Sequence, residues 1–214
     1  MTLARTTTLT LLSSAFAIGG CAPAVIVGGA SVLDSATQEK GLGGTIKDTE
    51  IRAKINFLWF KHSSEMYQGL SLSVQEGKVM ITGSVKNPVH KTEAEGIAWT
   101  VKGVQEVINN IELEEDLQYD SSYINDLRIQ KEVGAKLLLE DGIRSRNYNV
   151  SVHNRTVYIL GVAQSQEEMS RALEFARRVG GVRKVVSYLR LKSEPVTSSN
   201  PKKIVAAPSS NDRG

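Results

Sequence analysis

A constant offset of 78 positions superimposes one half of this chain on the other, with no gap between Ile46 and Leu191. The offset places Ile46 on Ile124, Asp48 on Asp126, Ile51 on Ile129, Val74 on Val152, Val79 on Val157, Ile81 on Ile159 and Gly83 on Gly161. Further along, Ala94 meets Ala172, Ala98 meets Ala176, Val101 meets Val179, Gly103 meets Gly181, Val107 meets Val185 and Leu113 meets Leu191. Nearly all of these positions are apolar residues or glycines, which set a core and its turns, while the surface chemistry of the copies diverges. The chain must therefore fold as one scaffold built twice, in units of about 70 residues that lie near the lower end for an independent core. What the protein does has to be sought where the copies differ.

Within each copy the hydrophobic period changes in the same order. Ile51, Ile55, Leu58 and Trp59 recur at helical spacing, and Asp48 is placed to act as an N-cap. Leu70, Leu72 and Val74 then alternate with polar residues, a Glu76-Gly77 turn follows, and Val79, Ile81 and Gly83 alternate again, which predicts a hairpin. A second helix is predicted from Pro88 to Val101, with Pro88 in its first turn and Gly103 ending it. A last strand carries Val107, Asn109, Ile111 and Leu113. The second copy repeats the pattern with Ile129, Val133 and Leu137, then Val150, Val152, Val157 and Ile159, then Ala172, Ala176 and Val179, and finally Val185, Leu189 and Leu191. The expected fold class is α+β: two tandem αββαβ modules, each with two helices on one face of a three-stranded sheet.

This order, together with Val79-Met80-Ile81-Thr82-Gly83 and Val101-Lys102-Gly103-Val104-Gln105-Glu106-Val107, resembles the BON domain. The second copy matches as Val157-Tyr158-Ile159-Leu160-Gly161 and Val179-Gly180-Gly181-Val182-Arg183-Lys184-Val185. The resemblance places BON domain 1 at 45–118 and BON domain 2 at 121–192.

Ahead of the modules, Arg5 precedes an uncharged apolar run from Thr6 to Ile18, too short to span a bilayer as a stable anchor. It is followed by Gly19, Gly20 and Cys21, which looks like a bacterial lipobox. On that reading residues 1–20 are a signal peptide, and Cys21 becomes an acylated amino terminus, carrying palmitate-like chains at about 0.8 kcal/mol per buried methylene. The alternative is an ordinary signal peptide with a leftover cysteine. Cys21 is the only cysteine, so it makes no intrachain disulfide. Residues 21–44, rich in Gly, Ala, Ser and Val, read as a lipidated tether, and residues 193–214, with Pro195, Pro201 and Pro208, as a disordered tail. Lipobox, tether and paired modules together are similar to dual-BON outer-membrane lipoproteins. That resemblance implies a periplasm-facing outer-membrane location, phospholipid binding, a role in envelope integrity that extends to division sites, and no catalysis.

The copies differ first in charge. From Thr45 to Gln118 there are eight Lys and Arg against eleven Asp and Glu, a net −3; from Tyr123 to Glu194 there are thirteen against eight, a net +5. An anionic surface attracts the second module and weakly repels the first, within about 8 Å at physiological ionic strength.

They differ also in the first helix. In the second module Ile129, Val133 and Leu137 form one stripe, while Ile124, Leu127, Ala135 and Leu138 form another on nearly the opposite side. Arg128 and Lys131 lie in or beside that second stripe, so it is apolar and cationic together, the composition expected where side chains enter the acyl boundary and cations reach lipid phosphates. Ile124, Leu127, Arg128, Lys131 and Leu138 are therefore the candidate residues for anionic phospholipid. The first-module counterpart, Ile46, Thr49, Ala53, Phe57 and Phe60, is apolar without cations and is expected to pack against its neighbour or another protein. In the competing arrangement both stripes bury each other between the modules. The competing function is an envelope adaptor that binds an outer-membrane assembly protein or a cell-wall component through Phe57 and Phe60 or through the basic turn at Arg177, Arg178, Arg183 and Lys184.

Other chemistry finds little support. His62, His90 and His153 fall at a helix end, a helix start and a hairpin, with no second ligand at zinc spacing and no spare cysteine. Glu112, Glu114, Glu115 and Asp116 read as a solvated hinge, and Trp59 and Trp99 as core or interface residues. No phosphate loop and no nucleophile elbow is present. Nucleic acid is not expected as a partner, because aromatics do not interleave with the cations. No enzyme, cofactor or metal is expected.

Overall fold

The computed structural model describes residues 41–114, 121–196 and 203–206. The signal segment, Cys21, the tether as far as Lys40, Glu115 and Asp116 lie outside them. The first module runs α1 (Gly41–His62), α2 (Ser64–Gly69), β1 (Leu70–Gln75), β2 (Lys78–Val85), α3 (Pro88–Trp99) and β3 (Glu106–Leu113). The second runs α4 (Ser121–Leu139), a 3₁₀ turn (Ser145–Asn147), β4 (Tyr148–His153), β5 (Thr156–Ala163), α5 (Gln166–Arg177) and β6 (Lys184–Leu191), followed by β7 (Lys203–Ala206). In both modules the first two strands pair antiparallel and the third joins parallel to the second after the helical crossover. The α+β class and the two-module order read from the sequence hold.

Some boundaries differ. α1 begins at Gly41, inside the segment expected to be tether. It breaks at Ser63, whose hydroxyl accepts the Met66 amide and starts α2, a short helix that the periodicity did not separate. The tail, expected to be disordered from 193 onward, contributes β7, which pairs antiparallel with β6 from Lys184↔Ala206 to Ser187↔Lys203.

Asp48 is not an N-cap. It lies inside α1, and its buried carboxylate accepts the backbone amides of Glu76 (2.8 Å) and Gly77 (2.9 Å) across the module. Asp126 repeats this inside α4, accepting Asn154 (2.6 Å) and Arg155 (2.7 Å). Both hairpin turns use positive φ at their two central residues, 53° and 76° at Glu76 and Gly77, 48° and 59° at Asn154 and Arg155. Such turns match the twist of the strands but strain a side chain such as arginine. The paired aspartate thus holds a left-handed turn against the first helix, which explains why a charged residue recurs in an otherwise apolar repeat.

Each module has its own core between helices and sheet. In the first, Ile51, Ile55 and Trp59 of α1 meet Ala94 and Ala98 of α3 over Val79, Ile81 and Ile111. Trp59 is fully buried and its indole N–H donates to the Ala94 carbonyl at 3.2 Å, tying the two helices together. Ile129, Val133 and Leu137 of α4 play the same part against Ala172, Leu173 and Ala176 of α5. Burial of each large side chain contributes about 1.5–3 kcal/mol. At Gly83 and Gly161 an added Cβ would lie 2.2 Å from the Gly69 carbonyl oxygen and 2.1 Å from that of Asn147, so the first strand of each hairpin approaches its partner as only glycine allows.

Both middle strands are buried on both faces. The faces turned away from the helices pack on each other: Met80, Tyr158, Leu160 and Val186, flanked by Ile108 and Tyr188, form a third apolar cluster between the modules. The molecule is consequently four layers deep, helices, sheet, sheet, helices, and both helical layers face outward.

Candidate lipid-facing surface and the module interface

The sheet-to-sheet packing determines what remains exposed. The inward stripe of α4, Ile129, Val133 and Leu137, is consumed by the core. On the opposite side of the same helix Ile124 is 61% exposed, Leu127 39% and Leu138 67%. Ala135 and Lys131 between them are also exposed. Two residues that the sequence reading did not include, Tyr123 and Leu139, flank the stripe and are exposed too. The signal for them was available, since Tyr123 stands four residues before Leu127 and Leu139 four after Ala135. The arrangement in which the two helical stripes bury each other is not the one observed.

Arg128 is less free than its position on the helix suggested. Its guanidinium donates to Glu132 at 3.0 Å and to the Gly180 carbonyl at 2.7 Å, bracing the start of α4 against the turn after α5. Arg128 is exposed but engaged, whereas Lys131, also exposed, has no such bond among the described residues, and its flexible stem suits an ammonium that follows a phosphate. The basic turn is mostly engaged as well. Arg177 and Arg178 both pair with Glu174, and Arg183 donates to the Asn154 carbonyl at 2.7 Å.

On the other outer layer, Thr49, Ala53, Phe57 and Phe60 of α1 are exposed and do not pack against the second module, contrary to one expectation for this stripe. Nor is it free of cations: the ammonium groups of Lys54 and Lys61 lie 5.8 and 5.6 Å from the centre of the Phe57 ring. Phe60 meets Tyr67 of α2 edge-to-face at 5.3 Å. Trp99, expected in a core or interface, is instead exposed on α3.

Polar contacts surround the apolar centre of the module interface. Arg190 of β6 grips the Glu76 carboxylate with two bonds of 2.9 and 2.6 Å, and both side chains are largely buried. Thr82 and Ser151 share a hydrogen bond of 2.7 Å, Asn149 donates to Gln75 at 2.9 Å, and Tyr188 donates to Asn110 at 2.8 Å. Burial, with the Glu112 carboxylate and Tyr188 beside it, pushes the Tyr158 phenol up to about 12, so it stays neutral at the interface. Glu112 and Glu114, read from sequence as a solvated hinge, are half-buried here and face His153 of the second module.

Among the described residues, no helix is long and apolar enough to cross a membrane.

The BON domain profile matches residues 47–115 and 125–193, the two structural modules. An uncharacterised protein of the gshII 5′ region of Anaplasma centrale is 35% identical over 147 residues, covering 69% of this chain and 96% of that one. The outer membrane lipoprotein DolP of Haemophilus influenzae is 28% identical over 182 residues, covering 84% and 93%. The osmotically-inducible protein Y of Escherichia coli is 27% identical over 152 residues, covering 71% and 76%. With both modules matched and their repeated residues packed as two equivalent cores, the chain belongs to the BON-domain family, as a tandem BON protein similar to DolP.

Proposed function

We propose that this protein is a lipoprotein of the outer membrane, anchored through an acylated Cys21 and facing the periplasm, whose second BON module lies on anionic phospholipid and which thereby supports envelope integrity. The observation that carries this reading is the outward stripe of α4. Ile124, Leu127 and Leu138 together present about 1.7 fully exposed apolar side chains, and their transfer into the acyl boundary contributes about 2.5–5 kcal/mol. Lys131 adds about 1 kcal/mol against an anionic surface. Such a contact is weak alone, but an acyl anchor raises the local lipid concentration, so the tethered module stays engaged. Enrichment at division sites follows if anionic lipid is enriched there. The name of the DolP relative, an outer membrane lipoprotein, supports the location.

Co-sedimentation of the chain from Ala22 onward with anionic and zwitterionic liposomes tests the contact. Leu127 and Leu138 both changed to aspartate removes most of the exposed leucine area and adds two repelled charges, so partitioning onto anionic vesicles is expected to fall at least about 100-fold. A folded double variant that binds as before would eliminate the lipid reading.

A second reading rests on the other helical layer. Because α1 faces away from α4, the Phe57, Phe60 and Tyr67 surface stays clear of a membrane contacted by α4 and is available to an envelope protein or cell-wall component. In-cell cross-linking from position 60 that captures a stoichiometric partner, retained when α4 carries the two aspartates, would favour this adaptor role.

A further inference from the structure

A cluster of ionisable side chains lies where the modules meet. Glu112 of β3, Glu114 just after it and His153 at the end of β4 come from different modules, yet one ligand atom from each lies within 4.8 Å of the others. The His153 Nε2 has no solvent exposure and makes no hydrogen bond. It lies 3.8 Å from Glu112 Oε2, too far for a hydrogen bond, although the imidazole is directed at the carboxylates. That separation is close to the spacing of two ligands on one zinc ion, about 3.4 Å for metal–ligand bonds of about 2.0–2.2 Å in tetrahedral geometry. The wider separations, up to 4.8 Å, have to close by about 1.4 Å to reach that spacing.

Charge points the same way. The other acidic side chains of this interface have fixed cations: Glu76 is held by Arg190 at 2.6 Å and Glu106 by Lys78 at 2.8 Å. Among the described residues no lysine or arginine pairs with Glu112 or Glu114. Their side-chain partners are the Asn154 amide at 3.4 Å, the Ser84 hydroxyl at 2.6 Å and His153 itself. Ser84 and Asn154 donate to oxygens and so orient the two carboxylates, as outer partners of metal ligands do. One imidazole nitrogen with two carboxylates is a donor set for zinc or a similar first-row divalent cation rather than for calcium or magnesium, which favour oxygen alone.

We infer that Glu112, Glu114 and His153 form a divalent transition-metal site that clamps the first BON module to the second. Two ligands belong to one sheet and one to the other, so the ion binds only the closed arrangement and stabilises it by mass action. Its fourth coordination position is left to water. Sequence spacing gave no sign of it, because His153 lies 41 and 39 positions beyond Glu112 and Glu114 and meets them only through the packing of the two sheets.

The test is titration of the full chain in detergent, stripped with chelator and dialysed, with zinc chloride by calorimetry, alongside histidine ring NMR and thermal melts. One zinc per chain is expected, with His153 the shifted ring. At about 100-fold excess over Kd the Tm should rise by about 5–10 °C. H153Q and E114Q should each weaken binding more than about tenfold and abolish the Tm rise. H62Q should leave both unchanged, although His62 also sits 3.0 Å from a glutamate, Glu93. Circular dichroism establishes that each variant is folded; were E114Q to misfold, E112Q, which keeps an oxygen for Asn154, replaces it. Absence of zinc binding, binding that survives H153Q, or binding removed by H62Q overturns the inference.

Discussion

Replacing Arg190 with methionine should uncouple the modules without disturbing either core. Its guanidinium makes two charge-assisted bonds to Glu76, at 2.9 and 2.6 Å, and its remaining nitrogen donates to the Leu191 and Glu194 carbonyls at 2.9 and 3.0 Å. Methionine keeps most of the stem volume but leaves the Glu76 carboxylate largely buried without a counter-charge. Each lost charge-assisted bond is worth about 1.5–3 kcal/mol, and breaking a buried pair by removing one partner costs about 3–5 kcal/mol. The Glu76 backbone is itself held in the left-handed turn by the bond from its amide to Asp48, so the turn cannot move away to carry the carboxylate out to water. Urea denaturation of R190M should therefore lose about 3–5 kcal/mol and separate into two transitions, since each module retains its own apolar cluster. Pairing R190M with E76Q, which removes the stranded charge, should recover about 2 kcal/mol or more, a coupling that a double-mutant cycle reads directly. An R190M loss below about 1 kcal/mol, or a cycle without coupling, would refute the claim that this ion pair holds the sheets together.

Other outcomes follow from sites within the individual modules. Gly161→Ala should cost about 3 kcal/mol or more, because its Cβ would collide with the Asn147 carbonyl, whereas Gly134→Ala in α4, with nothing within 4 Å of the new methyl, should stabilise by about 0.5–1 kcal/mol; denaturation midpoints moving in the same direction would contradict this. Burial alone would raise the Glu65 carboxyl, but the amides of Lys86 and Asn87 and the neighbouring His90 outweigh it and hold the group below its ordinary value. A depressed native pKa gives stability that is present above the unfolded value of about 4.3 and lost as pH falls through the native one, so Glu65→Gln should flatten the acid limb of the stability profile; an unchanged limb would count against it.

The two modules could be read from the sequence because their cores rest on local periods. Ile51, Ile55 and Trp59 at helical spacing, Val79 and Ile81 at strand spacing, and Gly83 between hairpin and crossover helix each announce an element within a few residues. The outward stripe of α4 was legible for the same reason, as a second apolar set on the far side of a helix whose first set fills the core. Asp48 shows where local reading ends: the repeat with Asp126 marked it as important, but its true partner, the turn at Glu76, is remote in the chain. Met80, Tyr158, Leu160 and Val186 carried a signal that went unread, being apolar on strand faces that point away from the helices.

The amino-acid sequence by itself determined the fold of each module, the charge difference between them and the presence of a spare apolar helix face, because all of these depend on neighbours within about one or two turns or strands. Only tertiary structure decided that the sheets rather than the helices would meet. That choice rests on side chains from the two copies that complement one another at long range, across 78 positions for Tyr188 with Asn110 and 114 for Arg190 with Glu76. The same packing leaves α1 and α4 on opposite outer faces and brings His153 to Glu112 and Glu114, since residues far apart along a chain become neighbours only when the surfaces that carry them have a reason to join.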